Sequence, residues 1–374
     1  MNQAQTQRQQ DPNSAGGDKP PIAPPFTGLT PDTVLDALDA VGLRGDGRLI
    51  QLNSYENRVF QVFLEDGRVV VAKFYRPGRW SDAQILEEHA FAAELMADEC
   101  PVVAPWPLHL QPDAILRGRL CTAASDEAAA EQRPASSTLV EVETTGGPYR
   151  FAVVERRAGR APELETPGRL EWIGRLLGRM HRVGARRAFA ARTRLSVDGM
   201  GRDSRNWLAN SDIVPPDVLP GWLTAADRVI DGVQQAFDRV EPIAGLRLHG
   251  DCHVGNILWT DAGPHFVDLD DCMTGPAVQD LWMLLSGDAT VARRELNALL
   301  SGYEQFMDFD DRELALIEPL RSLRMIHHSA WLARRWDDPA FKAGFPWFDQ
   351  AGYWAQRTTE LHEQAEVMAH PRSG

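Results

Sequence analysis

The sequence predicts an α+β protein of two lobes: a small antiparallel sheet at the N-terminal side and a larger, mainly helical lobe after it. Three observations carry this expectation. Short apolar runs of strand length, at 48–52, 58–64 and 69–75, are separated only by turns. Farther on, Leu170, Ile173, Leu176, Leu177 and Met180 recur at three- and four-residue spacing, the signature of an amphipathic helix. Helix-type patterns then fill 293–306, 311–334 and 349–368.

The elements follow in order. Residues 1–27 are rich in Gln, Pro and Gly and lack the apolar centre of a signal peptide, so they read as a disordered tail. The sheet lobe occupies 28–157. Its strands 48–52 and 58–64 flank a turn at 53–57, and Asp66-Gly67 is a two-residue hairpin signal leading into 69–75. A helix over 82–96 and a Pro-bounded turn at 101–105 come next. The stretch 117–147 is low in apolar content and reads as a flexible surface insertion. An apolar strand at 151–156 closes the lobe, and 158–374 is the helical lobe.

Composition narrows the function. The chain has 374 residues, 43% hydrophobic and 25% charged, which suits a globular protein large enough for two lobes. A net charge of −14 disfavours a nucleic-acid or anionic-membrane partner. No apolar run approaches the ~20 residues of a membrane helix. Four cysteines without metal-ligand spacing fit a reducing cytoplasm, and a monomer is expected.

The chemistry concentrates in 248–271. His249-Gly250-Asp251-Cys252-His253-Val254-Gly255-Asn256 places an Asp and an Asn five residues apart on one loop. A turn and a short apolar strand then deliver Asp268, followed by Leu269 and Asp270. Phosphoryl transfer needs a carboxylate beside the attacking hydroxyl, and Asp251 fits. Mg²⁺ needs few protein oxygens because phosphate and water complete its octahedron, and Asn256 and Asp268 fit that role. The apolar runs 257–259 and 266–267 form a hairpin that fixes both ends of the site. Cys252 reads as a packed residue rather than a nucleophile, and His249 as an internal brace. His253 reads either as a packing residue or as one touching phosphate or substrate. In a chain whose basic residues are overwhelmingly Arg, Lys73 is one of three lysines, with Lys19 and Lys342. A compact ammonium fits between phosphates better than a planar guanidinium.

These motifs resemble the catalytic loop and metal segment of the aminoglycoside phosphotransferase and choline kinase group, which has a protein-kinase-like fold. Gly250 stands where the protein-kinase H-R-D motif has Arg, and Asp268-Leu269-Asp270 stands for D-F-G. Without that Arg, switching by activation-loop phosphorylation is not expected. The longer match, 248–259 with 275–282, is similar to the serine/threonine protein kinases of this group that act in stress responses. The resemblance covers most of the chain from about residue 29, apart from the insertion.

The resemblance implies that Lys73 anchors the ATP phosphates and pairs with a helix Glu, with Glu88 preferred to Glu87. It implies that a glycine-free loop binds phosphate through backbone N–H groups and Ser54, with help from Tyr55 or Asn57, although Ser54 also reads as a turn cap. Backbone near Glu155–Arg157 would bind adenine. Asp280 would brace the catalytic loop, and Asp270 or Asp271 would add acidic support. The expected activity is ATP- and Mg²⁺-dependent transfer to Ser or Thr of a protein, the chain itself included. The alternative acceptor is a small amino alcohol, sugar or antibiotic. Trp331, Trp336, Trp347 and Trp354 read either as helix-packing core or as a cage for a quaternary ammonium.

Overall fold

In the computed structural model, residues 24–123 and 135–370 are described. Strands β1 (Gly45–Leu52), β2 (Arg58–Leu64) and β3 (Val69–Phe74) form successive antiparallel hairpins. β4 (Gly118–Leu120), β5 (Val140–Thr144) and β6 (Gly147–Glu155) complete a six-stranded sheet in the order β1-β2-β3-β6-β5-β4. The two-residue side-chain period sorts β3 into two faces. Val70, Ala72 and Phe74 enter the lobe's core with Phe151 and Val153, while Lys73 lies on the other face.

Two expected segments differ. The stretch 117–147 is not loop throughout, since it supplies β4 and β5. Val140 and Val142 alternate into the lobe's core and Leu139 is buried in a separate cluster with Tyr75 and Ile85, a pattern that the segment's low average apolar content conceals. Residues 124–134 lie outside the described residues. The ordered lobe also begins before residue 28. Phe26 is buried and stacks on Tyr149, whose hydroxyl donates to the Thr27 carbonyl (2.7 Å). Residues 1–23 are outside the described residues. An unforeseen helix α1 (Pro31–Asp39), capped by the Thr30 side chain, buries Val34, Ala37 and Leu38 against the sheet.

Helix α2 (Asp82–Ala97) starts at a reciprocal Ser81–Gln84 capping box. Its buried residues Ile85, Glu88, Ala92 and Leu95 fall at three- and four-residue spacing, so Glu88 lies on the inward stripe.

In the second lobe, α3 (Pro167–Gly184) packs beneath the site. α4 (Asp203–Ala209) and α5 (Leu219–Val240) lead to β7 (Leu246–Leu248). The hairpin β8 (Ile257–Thr260) and β9 (Gly263–Phe266) follows, then β10 (Met273–Gly275), which pairs with β7. The rest is α6 (Gln279–Trp282), α7 (Ala289–Tyr303), α8 (Ile317–Ala333), α9 (Pro339–Gly344) and α10 (Ala351–Ala369). α3 and α7 approach so closely that a Cβ on Gly174 would lie 2.0 Å from the Leu299 carbonyl oxygen. Trp354 is fully buried against Trp222 and Phe348, and Trp336 packs on Phe348. Trp354 is thus core and Trp336 packs against that core, while Trp331 is partly buried beside Glu56 and Trp347 is 41% exposed. No helix among the described residues is long and apolar enough to cross a membrane.

Candidate active site

The loop after β7 is held by one buried carboxylate. Asp280, at the start of α6, accepts hydrogen bonds from the backbone N–H of His249 and of Gly250, both at 2.8 Å. His181 Nε2 lies 3.1 Å from the same group. Gln279 Nε2 donates to the Gly250 carbonyl (2.9 Å). Gly250 has φ +85°, and a Cβ there would sit 2.2 Å from the Asp271 carbonyl oxygen. That contact explains why Gly occupies the position where protein kinases carry Arg. His249 Nε2 lies 3.0 Å from the Val267 carbonyl, tying the loop to the β9 end. Val267 N–H in turn donates to the Asn256 carbonyl (3.0 Å). The two ends of the site are thus joined through backbone.

Asp251, Asn256 and Asp268 emerge from this frame. Asn256 Nδ2 donates to the Asp251 carbonyl (3.0 Å), which leaves the amide oxygen as its uncommitted donor to a cation. Asp268 takes a left-handed conformation (φ 61°), which Asp tolerates better than most residues. Its side chain is about half exposed, and Oδ1 lies 3.2 Å from Lys73 Nζ. An amide oxygen and an accessible carboxylate are the hard oxygen donors that suit Mg²⁺ with phosphate and water as its other ligands.

Lys73 is surrounded by carboxylates: Asp270 at 3.0 Å, Asp268 at 3.2 Å and Glu88 at 3.7 Å. Burial disfavours the ammonium, but Asp270, Glu88 and Asp268 outweigh it and raise the Lys73 pKa. Glu88 is pushed up to about 7 by burial, which Lys73 only partly opposes. Asp270 is lowered. Burial works against that, and Lys73 and Arg79 override it. Glu87 points elsewhere and accepts from the backbone N–H groups of Ala190, Ala191 and Arg192 at 2.6–2.8 Å.

Asp270 is not an open acidic group. It is 2% exposed, pairs with Arg79 and accepts from Asn57 Nδ2 at 3.2 Å. Asp271 also pairs with Arg79. Asn57 therefore braces the site, and its Oδ1 accepts the Arg76 N–H (3.1 Å). Tyr55 packs on Phe345 and Phe341 of the helical lobe, with ring centroids 4.7 and 6.2 Å away. Asn57 is thus committed to Asp270 and Arg76, while the Tyr55 ring packs on the helical lobe and is 37% exposed. Ser54, half-buried in the same turn, has no side-chain hydrogen bond to another described residue. Pairing of β6 with β3 ends at Glu155, so the backbone at Arg156 and Arg157 leaves the sheet beside Lys73's strand.

Cys252 is fully buried, and burial raises its thiol pKa well above the ordinary value, which keeps it protonated. His253 Nδ1 accepts the Gly255 N–H (2.9 Å), and Nε2 lies 3.4 Å from Asp251.

Three arginines escaped the sequence reading. Arg79 neutralises Asp270 and Asp271. Arg192 is buried and donates to the Cys272 carbonyl (2.9 Å). Arg324, on α8, donates to Asp251 Oδ1 at 2.6 Å. Burial would raise the Asp251 pKa, but His253 and Arg324 hold it well below the usual carboxylate range. No local signal could have singled out these residues in so Arg-rich a chain. Only the fold brings them to the site.

Comparison with known proteins places this geometry. Residues 48–317 match the model of the phosphotransferase enzyme family. Stress response kinase A of Escherichia coli (strain K12) is 42% identical over 92% of this chain and 95% of its own length. A Salmonella typhimurium relative, named serine/threonine protein kinase RdoA, is 40% identical over the same shares. Among solved structures, amicoumacin kinase hAmiN covers 89% of this chain and 93% of its own, with TM-score 0.65 and 19% identity. A microcompartment-associated aminopropanol kinase covers 91% of this chain and 96% of its own, with TM-score 0.63 and 16% identity. These two show a shared fold. The family match spans well over half of the sequence, and the chain belongs to the phosphotransferase enzyme family.

Proposed function

We propose that this chain is a Mg²⁺-dependent kinase that moves the γ-phosphate of ATP to Ser or Thr hydroxyls of protein in a stress response. The observation that carries the reading is the rigid placement of Asp251 and Asn256 on one loop, tied through Val267 to Asp268. The names of relatives at 40–42% identity support the protein acceptor.

Lys73 holds the phosphates of ATP, and Glu88 and Asp270 keep its ammonium in place. The loop at Ser54 covers them with backbone N–H groups and the Ser54 hydroxyl. The backbone at Arg156 and Arg157 takes the adenine edge. Asn256 and Asp268 would hold Mg²⁺, which neutralises charge on the phosphates. Asp251, ionised and fixed, accepts a hydrogen bond from the acceptor hydroxyl and aims its oxygen at the γ-phosphorus. The new O–P bond forms as the bond to the bridging oxygen breaks. The electron pair leaves with ADP, and the hydroxyl proton passes through Asp251 to solvent. The lowered Asp251 pKa makes it a weak base, so its main contribution is orientation. Four free, buried cysteines are consistent with a reducing cytoplasm.

Labelled ATP·Mg²⁺ with protein acceptors tests the reading. Wild type should transfer label, and Asp251→Ala should lose roughly two to four orders of magnitude. Equal transfer by both would remove the assignment. The named aminopropanol and amicoumacin kinases share the fold, so small amines and antibiotics form the control arm. Faster phosphorylation of one of these than of any protein would replace the acceptor class.

A further inference from the structure

The stripe Arg324, His328, Trp331, Arg335 runs along α8 and just past its end at four-, three- and four-residue steps, so it lies on one face. One end touches Asp251 through Arg324. At the other end, Trp331 Nε1 donates to Glu56 in the phosphate loop (2.7 Å), and Arg335 pairs with Glu56 at 2.6 Å. His328 stacks on Trp331 between them, with centroids 5.5 Å apart. This ridge therefore spans from Asp251 to the turn that carries Glu56, beside the group read as meeting the acceptor hydroxyl.

The charges on the ridge are unequal in their commitments. Arg335 is matched by Glu56, and nearby Arg357 by Glu360 at 2.7 Å. Arg324 has no ion-pair partner among the described residues except Asp251, and its side chain is 37% exposed. Burial, then Arg324 and Arg357, holds His328 down at about 4, so at neutral pH the cationic character that this ridge brings to Asp251 comes from arginine; His253 Nε2, on the loop itself, lies 3.4 Å from Asp251. A hydroxyl that binds Asp251 must share or displace this guanidinium. A cationic acceptor would meet repulsion there. An acceptor with its own anion next to the hydroxyl would give the guanidinium a replacement partner.

We propose that Arg324 is a specificity-determining residue that selects acceptors carrying an anionic group beside the reactive hydroxyl, namely Ser or Thr peptides flanked by Asp, Glu or phosphoserine. The proposal rests on the reading of Asp251 as the group that meets the acceptor hydroxyl. In the free protein Arg324 caps Asp251. With acceptor bound, it bridges to the acceptor's anion.

The test measures binding and turnover separately. A Ser-centred peptide series with flanking Glu, phosphoserine, Ala or Lys is titrated against wild type and Arg324→Gln in the presence of non-hydrolysable ATP analogue and Mg²⁺, read by tryptophan fluorescence. The same peptides are then assayed for label transfer. Wild type should bind the Glu and phosphoserine peptides at least about tenfold more tightly than the Ala peptide, with Lys weakest, and Arg324→Gln should lose that ranking. Tighter binding of phosphoserine than of Glu would identify a primed acceptor, and the reverse would identify an acidic one. The KM ranking should follow the binding, and Arg324→Lys should restore part of it. Equal affinity across the series in wild type, or an unchanged ranking in Arg324→Gln, overturns the proposal. Retained transfer in Asp251→Asn would instead overturn the reading beneath it.

Discussion

Replacing Asp280 tests how much of the site depends on one buried carboxylate. The group is fully buried and serves three donors: His249 N–H and Gly250 N–H at 2.8 Å and His181 Nε2 at 3.1 Å. Asp280→Ala strands all three where no other acceptor replaces it. A buried donor left without a partner costs about 1–3 kcal/mol. Partial relaxation and water entry reduce the sum, so the expected loss is roughly 3–5 kcal/mol, as for other broken buried charge networks. With an unfolding entropy of about 2.1 cal/mol/K per residue, each kcal/mol shifts the melting temperature of this 374-residue chain by about 1.3 °C, so it should fall by roughly 4–6 °C. Asp280→Asn keeps one oxygen and should cost about 1–3 kcal/mol, since one N–H then faces an amide NH₂. Calorimetry reads the first effect and labelled-phosphate transfer the second. Because the His249–Asp251 backbone is released, transfer should drop about 100-fold in the Ala variant at temperatures where it remains folded. A melting point within about 2 °C of wild type together with retained transfer would refute this role for Asp280.

Further outcomes follow from other contacts. Gly250→Ala forces a side chain onto a φ of +85° and to 2.2 Å from the Asp271 carbonyl oxygen, so it should cost at least about 2 kcal/mol and most of the activity; wild-type stability by denaturant titration would contradict it. Glu88 has a folded pKa raised from 4.5 to about 7, so its contribution favours the fold below pH 4.5 and is lost as pH rises to about 7. Glu88→Gln should flatten the stability–pH profile in that window in the nucleotide-free protein, and an unchanged slope would show that the carboxyl is already ionised there. Tyr55→Ala removes the ring packed on Phe345 and Phe341. It should cost about 1 kcal/mol of stability and raise the KM for ATP several-fold with little change in kcat. Unchanged KM would separate the Tyr55 contact from nucleotide binding.

Local pattern carried much of the architecture. The strand runs at 48–75, the hairpin signal at Asp66-Gly67 and the apolar stripe of α3 each report on neighbours a few residues away, which is what periodicity can encode. The motif from His249 to Asp270 was legible for the same reason, because the site's chemistry lies on one loop and one hairpin. Even the choice of Glu88 over Glu87 had a local trace in its spacing from Ile85, Ala92 and Leu95. What remained hidden depends on distant parts of the chain. Asn57 meets Asp270 across 213 residues, Arg79 meets it across 191, and Arg324 meets Asp251 across 73. β4 and β5 were lost in a segment whose average composition is polar although Val140 and Val142 enter the lobe's core. Phe26 and α1 acquire their apolar role only when the sheet exists to receive them.

The most direct test of the central claim is the affinity of Mn²⁺, used as a paramagnetic substitute for Mg²⁺, in the presence of a non-hydrolysable ATP analogue. Spin-resonance titration would compare wild type with Asp268→Asn, Asn256→Ala and Asp251→Asn. The account predicts at least about tenfold weaker metal binding in the first two. It predicts near wild-type metal binding in Asp251→Asn, whose phosphate transfer is nevertheless lost. Wild-type metal affinity in both Asp268→Asn and Asn256→Ala would contradict it.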